Sequence, residues 1–263
     1  MRITLFGIGE AGRLIGNDLR AAGVEVHCFD PAPVATPDGM IRHDDPASAV
    51  EGADWVMALN AMRDARAALE QAIDAIPSNA VYADFSTSDP AFKRSLSETA
   101  AARGLAFVDV ALMSTVPGTG MYTPMLISGT GAKAFLDTFE PQGLKLTLVE
   151  GPAGSAALRK LLRSIFVKGL AGLAIESLNA AQKSGLGDWG LAHLAETMDG
   201  SDAAFLKRLV VGTGIHARRR LDEMNAAKSL LESLDIEPLM TRGTIANLER
   251  VLNDGLPDLP SMY

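Results

Sequence analysis

One lysine lies at a position suited to proton transfer. Lys160 falls in the stretch after Gly154, where strand-like runs give way to helical patterns. Residues three, four and seven apart share one face of a helix, so Lys160, Ser164 and Val167 are predicted to lie together. An amine there could take or return a proton, whereas most lysines on a helix form only a surface salt bridge. The choice between these roles depends on what the preceding elements place beside it.

A glycine motif near the N-terminus is typical of a phosphate-binding loop. It follows the apolar run Ile3–Phe6 and precedes a helical pattern. In this spacing, one glycine permits a tight turn, the next lets the backbone approach a pyrophosphate, and the last allows close packing of helix on strand. The helix N-terminus then offers N–H groups to the phosphates. The motif predicts a dinucleotide site rather than a turn without a ligand, and its residues are Gly7, Ile8, Gly9, Glu10, Ala11 and Gly12.

An acidic residue follows the second predicted strand, Val24–Phe29. The carboxylate of Asp30 is suited to accept hydrogen bonds from a ribose 2′-OH and to repel a 2′-phosphate. The next residues, Pro31–Pro33, include no base that could hold a phosphate. NAD is therefore the predicted cofactor. NADP stays open, because Arg42 could reach back, and Asp30 could also be a solvated turn residue.

Further strand-like runs end near Asn60, Phe85 and Ala111, and helical patterns separate them. This alternation predicts a parallel, doubly wound sheet, in which ligands bind outside the carboxyl ends of the strands. Side chains at those ends are predicted to lie beside the cofactor, and they are Leu59, Asn60, Ser86 and Thr87. Helix capping is the alternative role for the last three.

The two halves of the chain predict two domains, an N-terminal Rossmann-type α/β domain over 1–150 and an all-α domain over 151–263. A strand at Met125–Ser128 is expected to be antiparallel at the sheet edge. The first helix of the second half would exceed the usual globular length, which predicts that it bridges the two domains or crosses the interface of a homodimer. Helical patterns cover 154–184, 188–197, 201–211, 213–234 and 241–254.

Composition argues against several other classes of protein. The 263 residues carry a net charge of −8, which disfavours a nucleic-acid binder. One cysteine, Cys28, cannot form a disulfide within the chain, and no leader or membrane-spanning run is evident, so a cytosolic protein is expected. There is no zinc-type ligand spacing, and no metal is predicted. His216 and the arginines at 218–220 could bind an anionic substrate or form a solvated helix face.

Three segments together resemble the β-hydroxyacid dehydrogenase superfamily, which includes 6-phosphogluconate and 3-hydroxyisobutyrate dehydrogenases. They are the G-x-G-x-x-G motif, the D-x-S-T-x-x-P segment Asp84–Pro90 and the G-x(5)-K segment Gly154–Lys160. The run Leu158–Gly169 is most similar to an uncharacterised phosphogluconate-dehydrogenase-like branch. The resemblance implies hydride transfer between a nicotinamide and a small, anionic β-hydroxy acid. It also implies that Lys160 is the general acid/base and that Thr87 lies against the cofactor.

The chain departs from that superfamily at two places. Ser164 stands where an asparagine is usual, one turn after the lysine, and Ala111–Thr115 replaces the usual P-V-S-G-G loop. A substrate other than 6-phosphogluconate is therefore expected. An imine reductase-like activity and a non-catalytic redox sensor remain alternatives, although Lys160 counts against the first. Ser164 is predicted to be a second catalytic residue. The predicted substrate contacts are Met113, Ser114, Lys168 and His216.

Overall fold

A computed structural model describes residues 1–258 of the chain. The chain divides into two compact units, Met1–Arg163 and a second that starts at Ser164. The boundary between them falls inside a long helix. The first unit is a sheet covered by helices, and the second, over its described residues, is helical throughout.

Eight strands form one sheet in the described part of the first unit. Its order is β3-β2-β1-β4-β5-β6-β7-β8. The strands that follow β1 in sequence are therefore added first on one side of it (β2 and β3) and then on the other (β4 to β8). Neighbouring strands are parallel except for the antiparallel pair of β6 and β7. The strands are β1 (Arg2–Phe6), β2 (Glu25–Phe29), β3 (Ile41–Arg42), β4 (Trp55–Ala58), β5 (Val81–Asp84), β6 (Ala106–Leu112), β7 (Met125–Ser128) and β8 (Leu146–Leu148).

The alternation of side chains along each strand fills two cores, one on each face of the sheet. In β4, Trp55 and Met57 pack into one core, and Val56 packs into the other. Successive residues of a strand point to opposite faces, so a sheet covered on both sides needs continuous apolar strands. This burial fixes the register of the strands and brings the carboxyl ends of β1, β4 and β5 to one edge.

Helices cover both faces of the sheet, and polar residues start several of them. The Asp89 carboxylate accepts the amides of Ala91 and Phe92 at the start of α4, and Pro90 occupies the first turn. The Asp45 carboxylate accepts the amide of Ser48 at the start of α2. The helices are α1 (Glu10–Ala21), α2 (Pro46–Val50), α3 (Met62–Ala72), α4 (Pro90–Ala101) and α5 (Ala132–Phe139).

The second unit contains most of a helix that begins in the first. Helix α6 (Ser155–Lys183) is 29 residues long, and α7 (Gly187–Asp199), α8 (Ala203–Ser233) and α9 (Leu239–Asp254) follow. Helices α8 and α9 pack through a small core around Ala217, Leu221 and Leu248.

The predicted fold class is confirmed, with corrections in detail. Strand β7 is antiparallel to β6 as predicted, but β8 pairs with its other side, so β7 is not the edge strand. The two helices predicted over 201–211 and 213–234 form one element, α8, which has a kink at His216, where φ is −116° and ψ is 21°. The strand β3 and the helices α2 and α5 were not predicted. Strand β3, with two residues, and α2, with five, are too short to show a clear hydrophobic period.

Candidate active site

The loop from β1 to α1 has the geometry of a phosphate cradle. Gly7 adopts a φ of +87°, and its N–H donates to the carbonyl of Phe29 at 2.9 Å. A Cβ on Gly12 would lie 2.0 Å from the carbonyl oxygen of Gly7, so the helix packs on the loop only with glycine there. A Cβ on Gly9 would meet nothing within 4 Å. The space beside Gly9 is therefore open toward the N-terminus of α1.

Asp30 organises the rim of this cradle. Its carboxylate accepts the amide of Ile8 at 2.8 Å and the amide of Ala32 at 2.9 Å. Arg42 does reach back to this loop, where its guanidinium donates to the carbonyls of Asp30 and Ala32 at 2.7 Å each and to that of Val34. Arg42 is thus engaged with backbone oxygens rather than with the Asp30 carboxylate.

A cleft of about 620 Å³ opens beside the glycine loop, and Gly7, Gly9, Asp30, Leu59 and Asn60 are among the residues that line it. Asn60 donates through Nδ2 to the carbonyl of Ala61 at 3.1 Å. Its Oδ1 is buried and accepts no hydrogen bond from the described residues. Buried acceptors are normally paired, so this oxygen is suited to accept a hydroxyl of a bound molecule. The cradle and the cleft fit a dinucleotide.

A second group of residues surrounds Lys160. Its Nζ donates to Oγ1 of Thr87 at 2.9 Å. Ser86, Asp109 and Ala157 lie around this pair and line the same small pocket. Thr87 is exposed and Lys160 is half-buried, so both polar groups can be reached by a ligand. The pair lies at the carboxyl edge of the sheet, beyond the end of β5.

A buried ion cluster lies beneath the pair. Asp84 and Asp109 are directly paired across β5 and β6, and Lys93 of α4 lies between their carboxylates. Its Nζ is 2.8 Å from Oδ2 of Asp84 and 3.2 Å from Oδ1 of Asp109, and it also donates to the carbonyl of Asp84 at 2.9 Å. All three residues are 0% exposed. Adjacent buried carboxylates need a cation, and Lys93 supplies it.

The first turn of α6 is held by side chains from the sheet. Oδ2 of Asp109 accepts the amides of Gly154 at 2.9 Å and Ala157 at 3.0 Å. Ser128 donates its hydroxyl to the same oxygen at 3.1 Å and accepts the amide of Ala156 at 3.0 Å. A negative charge at a helix N-terminus is favourable. These bonds fix the start of the helix that carries Lys160.

The structure places the other predicted residues in different surroundings. Ile8 is buried in the loop, whereas Glu10 and Ala11 begin α1. The amide of Met113 donates to the carbonyl of Pro124 at 2.8 Å, and Ser114 is exposed beside it. Three predicted residues belong to the second unit. They are Ser164, which is half-buried, and Lys168 and His216, which are exposed.

Lys93, Asp109 and Ser128 were not singled out from the sequence. The signal for Lys93 was present, because it shares a helix stripe with the buried Leu96 and Ala100 at spacings of three and seven. Lysine on such a stripe needs a buried partner. The signal for Asp109 was a carboxylate within an otherwise apolar strand.

Burial and the neighbouring Asp84 charge raise the pKa of Tyr82 well above its ordinary value.

Within residues 1–258, no helix is both long and apolar enough to cross a membrane. The same part of the chain has no group of three or more His, Cys, Asp or Glu side chains arranged to hold a metal ion.

Comparison with known protein families agrees with this geometry. Residues 2–139 match the NAD binding domain of 6-phosphogluconate dehydrogenase. The chain belongs to this family. Residues 181–251 match a second family, a domain of unknown function named DUF1932. The phosphate cradle therefore belongs to an NAD(P)-binding domain.

Among curated proteins, the chain is 32% identical over 138 residues to an uncharacterised 28.5 kDa protein from Methanothermus fervidus, encoded in the 7S RNA 5′ region. That match covers 52% of this chain and 53% of the relative, so the chain spans about half the length of the curated protein it matches.

Several solved structures share the fold. A conserved hypothetical protein from Sinorhizobium meliloti 1021 is 26% identical, with a TM-score of 0.62 over 98% of this chain and 91% of that one. A conserved protein of unknown function, reported as structurally similar to 3-hydroxyacid dehydrogenases, is 25% identical, with a TM-score of 0.61 over 96% and 97%. An imine reductase from Myxococcus stipitatus in complex with NADP⁺ has a TM-score of 0.82 over 97% and 95% at 15% identity, which shows the fold alone.

Proposed function

We propose that the protein is an NAD(P)-dependent oxidoreductase that transfers a hydride between the nicotinamide and a small β-hydroxy acid. The observation that supports this most directly is the hydrogen bond between Lys160 and Thr87. It places an amine at the edge of the sheet where ligands of parallel sheets bind, next to an NAD(P)-binding domain. The likeness to a protein described as similar to 3-hydroxyacid dehydrogenases supports the same reaction class.

In the proposed mechanism, Lys160 is the general acid/base. When bound, the nicotinamide supplies the hydride chemistry. During oxidation of an alcohol, the neutral amine of Lys160 takes the hydroxyl proton while the carbon gives up its hydride and a carbonyl forms. In the reverse direction the ammonium returns that proton to the oxygen. Thr87 holds the amine in place, and positioned acid–base groups of this kind contribute about 10²–10⁴-fold to rate.

The substrate is proposed to be a small anion. Met113 and Ser114 follow strand β6 at the same edge of the sheet as Thr87, where they would contact the substrate. Lys168 and His216 are proposed to hold its carboxylate, and Ser164 is proposed to donate a hydrogen bond to its reacting oxygen. A serine hydroxyl replaces the two donors of an amide, so the preferred substrate would differ from those of proteins with asparagine there.

The deciding experiment is a substrate screen with a matched pair of lysine variants. The wild type, Lys160→Ala and Lys133→Ala are incubated with NAD⁺ or NADP⁺ and a panel of small β-hydroxy acids, and reduction of the cofactor is followed by absorbance. Lys133 is an exposed lysine of the same unit, paired with Asp137. Turnover is expected to fall by about 10²-fold or more in Lys160→Ala alone. Binding of NADH, measured by fluorescence, should be unchanged in both variants.

Each alternative gives a different result in the same screen. Turnover that survives in Lys160→Ala would remove Lys160 from the mechanism. Reduction of cyclic imines without oxidation of any hydroxy acid would favour the imine reductase-like activity. Tight binding of NADH with no turnover on either panel would favour a redox sensor.

We also propose that the protein is a homodimer built on helix α6. This helix exposes large apolar side chains, including Ile165 at 74%, Phe166 at 61% and Ile175 at 70%. Exposed apolar surface of this extent marks an interface, and a second copy of the chain is the proposed partner. Light scattering coupled to size exclusion should give the mass of a dimer for the wild type and of a monomer for Ile165→Glu/Ile175→Glu. A monomeric wild type would contradict the proposal.

A further inference from the structure

The buried cluster of Asp84, Lys93 and Asp109 joins two segments that meet at the candidate site. Asp84 accepts the amide of Ser86 at 3.1 Å and its hydroxyl at 2.9 Å. These bonds shape the loop immediately before Thr87. Asp109 holds the first turn of α6 through the amides of residues 154 and 157. Lys93 bridges the two carboxylates, so one side chain connects both segments.

The residue just before α6 lies close to the first residue of α4 at the same place. Gly154 adopts a φ of +98°, and a Cβ there would lie 2.5 Å from the carbonyl oxygen of Pro90. Lys93 begins the second turn of α4, directly after that contact. The turn that leads into α6 is therefore held at the start of α4 by this backbone contact and by the ion cluster together.

Stability alone is a poor explanation for such a cluster. Desolvation of buried ions offsets much of their attraction, and apolar residues of similar volume often stabilise a protein as well or better. What the cluster adds is a fixed distance between two carboxylates that hold different segments. Misplacement of catalytic groups by about 1 Å can cost about 100-fold in rate.

We propose that Lys93 is a positioning residue that sets the alignment of Thr87 with Lys160. It acts through Asp84 on the loop that carries Thr87, and through Asp109 on the helix that carries Lys160. The proposal rests on the proposed role of Lys160 in proton transfer. Its test reads the reactivity of Lys160 without substrate or cofactor, so it can fail or succeed independently of the screen described above.

The test measures how fast Lys160 reacts with a trace amount of acetic anhydride in the full-length protein, with mass spectrometry to locate the label. The hydrogen bond to Thr87 restrains the amine, so Thr87→Val should speed acetylation of Lys160 by about tenfold. Lys93→Met should speed the acetylation of Lys160 to a similar extent. The contacts described for Lys93 are with Asp84 and Asp109, so this effect would reach Lys160 through them. In the double variant Thr87→Val/Lys93→Met, Lys160 should be acetylated no faster than in either single variant, because both substitutions act on the same contact between Thr87 and Lys160.

Two controls separate positioning from general loosening. Lys133→Met removes a surface lysine and should leave the acetylation rate of Lys160 unchanged, while Lys145 serves as a reference lysine in every sample. If Lys93→Met does not fold, Asp84→Asn/Lys93→Met removes one carboxylate together with its cation. A folded variant without Lys93 whose Lys160 reacts at the wild-type rate would overturn the proposal.

A measurement on the wild type gives an independent answer. If the cluster moves as one unit, the amides of Ser86, Gly154 and Ala157 should exchange with deuterium through a shared opening, with similar protection. Protection of Ser86 that differs by about 100-fold or more from that of Gly154 and Ala157 would show separate openings and would also overturn the proposal.

Discussion

The side chains of Lys160 and Thr87 meet at 2.9 Å across 73 positions of sequence. Lys160 belongs to the first turns of α6, and Thr87 belongs to the loop between β5 and α4. The contact places a proton-carrying group and a hydroxyl acceptor together at the carboxyl edge of the sheet.

This contact predicts a difference between two conservative substitutions of Thr87. Thr87→Ser keeps the hydroxyl that accepts from Lys160, and turnover should stay within about twofold of the wild type. Thr87→Val keeps the shape but removes the acceptor, and kcat should fall by about tenfold. Steady-state kinetics, with NADH affinity from fluorescence, distinguish the two effects. A Thr87→Val enzyme that loses cofactor affinity but keeps kcat would contradict this role.

Two glycines of the phosphate cradle are predicted to fail in different ways. A methyl group on Gly12 would overlap the carbonyl of Gly7, so Gly12→Ala should lower the free energy of unfolding by about 1–3 kcal/mol. A methyl group on Gly9 meets no protein atom within 4 Å, so Gly9→Ala should leave stability nearly unchanged. It would project into the space of the phosphates and weaken NADH binding by about tenfold or more. Urea unfolding and NADH titration on both variants check this, and equal loss of stability would disprove it.

Asp30 is predicted to set the preference for NAD. Its carboxylate lies at the rim of the cradle and would repel a 2′-phosphate, whereas Asp30→Asn removes that charge and can still accept a hydrogen bond from Ile8. The ratio of NADPH to NADH dissociation constants should fall by about tenfold in this variant. Asp38→Asn, an exposed carboxylate nearby in sequence, is the control. An unchanged ratio in Asp30→Asn would mean that another group selects the cofactor.

The parts of the site that could be predicted are those that local spacing specifies. The glycine loop and Asp30 belong to one strand–helix–strand unit, so their roles follow from about 30 residues of sequence. The edge position of Asn60 and Thr87 follows from the direction of parallel strands. These rules need no knowledge of which strands are neighbours.

The ion cluster depends on information that local spacing does not contain. Asp84 and Asp109 become adjacent only because β5 pairs with β6 in one register. Lys93 becomes their partner only because α4 packs on that part of the sheet. Position on a buried helix stripe indicated that Lys93 needed an anion, but the identity of that anion required the sheet order.

A histidine pair in the first unit is predicted to make stability depend on pH. Nδ1 of His27 lies 3.0 Å from a guanidinium nitrogen of Arg2 and 2.7 Å from Nε2 of His43, so these three side chains are in direct contact. Burial lowers the pKa of His43 from its usual 6.5, the charges of His27 and Arg2 lower it further, and Asp45 and Glu51 oppose them. The unfolded chain therefore binds this proton first as pH falls.

The sign of the effect follows from that order. The contribution of His43 to stability is complete above about pH 6.5 and is lost as pH falls through the lower pKa of the folded state. Urea unfolding at about pH 7.5 and about pH 5 should show a smaller change in free energy for His43→Gln than for the wild type. An equal change in both proteins would exclude His43 as a contributor.

Glu176 is predicted to anchor helix α9 within the second unit. Its carboxylate accepts the amides of Met240 and Thr241 at 2.9 Å each and the hydroxyl of Thr241 at 2.7 Å. Burial raises the pKa of Glu176, but these hydrogen bonds outweigh it and lower the pKa below the usual 4.5. The stabilisation is therefore present above about pH 4.5 and is lost as pH falls through the folded-state pKa.

Glu176→Gln should lower the free energy of unfolding at neutral pH by about 1–2 kcal/mol, because the charge at the start of α9 is lost and an amide donor faces backbone donors. Glu249 is an exposed residue of α9, and Glu249→Gln should change the free energy of unfolding by less than about 0.5 kcal/mol. Urea unfolding of both variants is the measurement. If the two substitutions have equal effects, the carboxylate of Glu176 does not hold α9, and packing around Leu248 is sufficient to keep it in place.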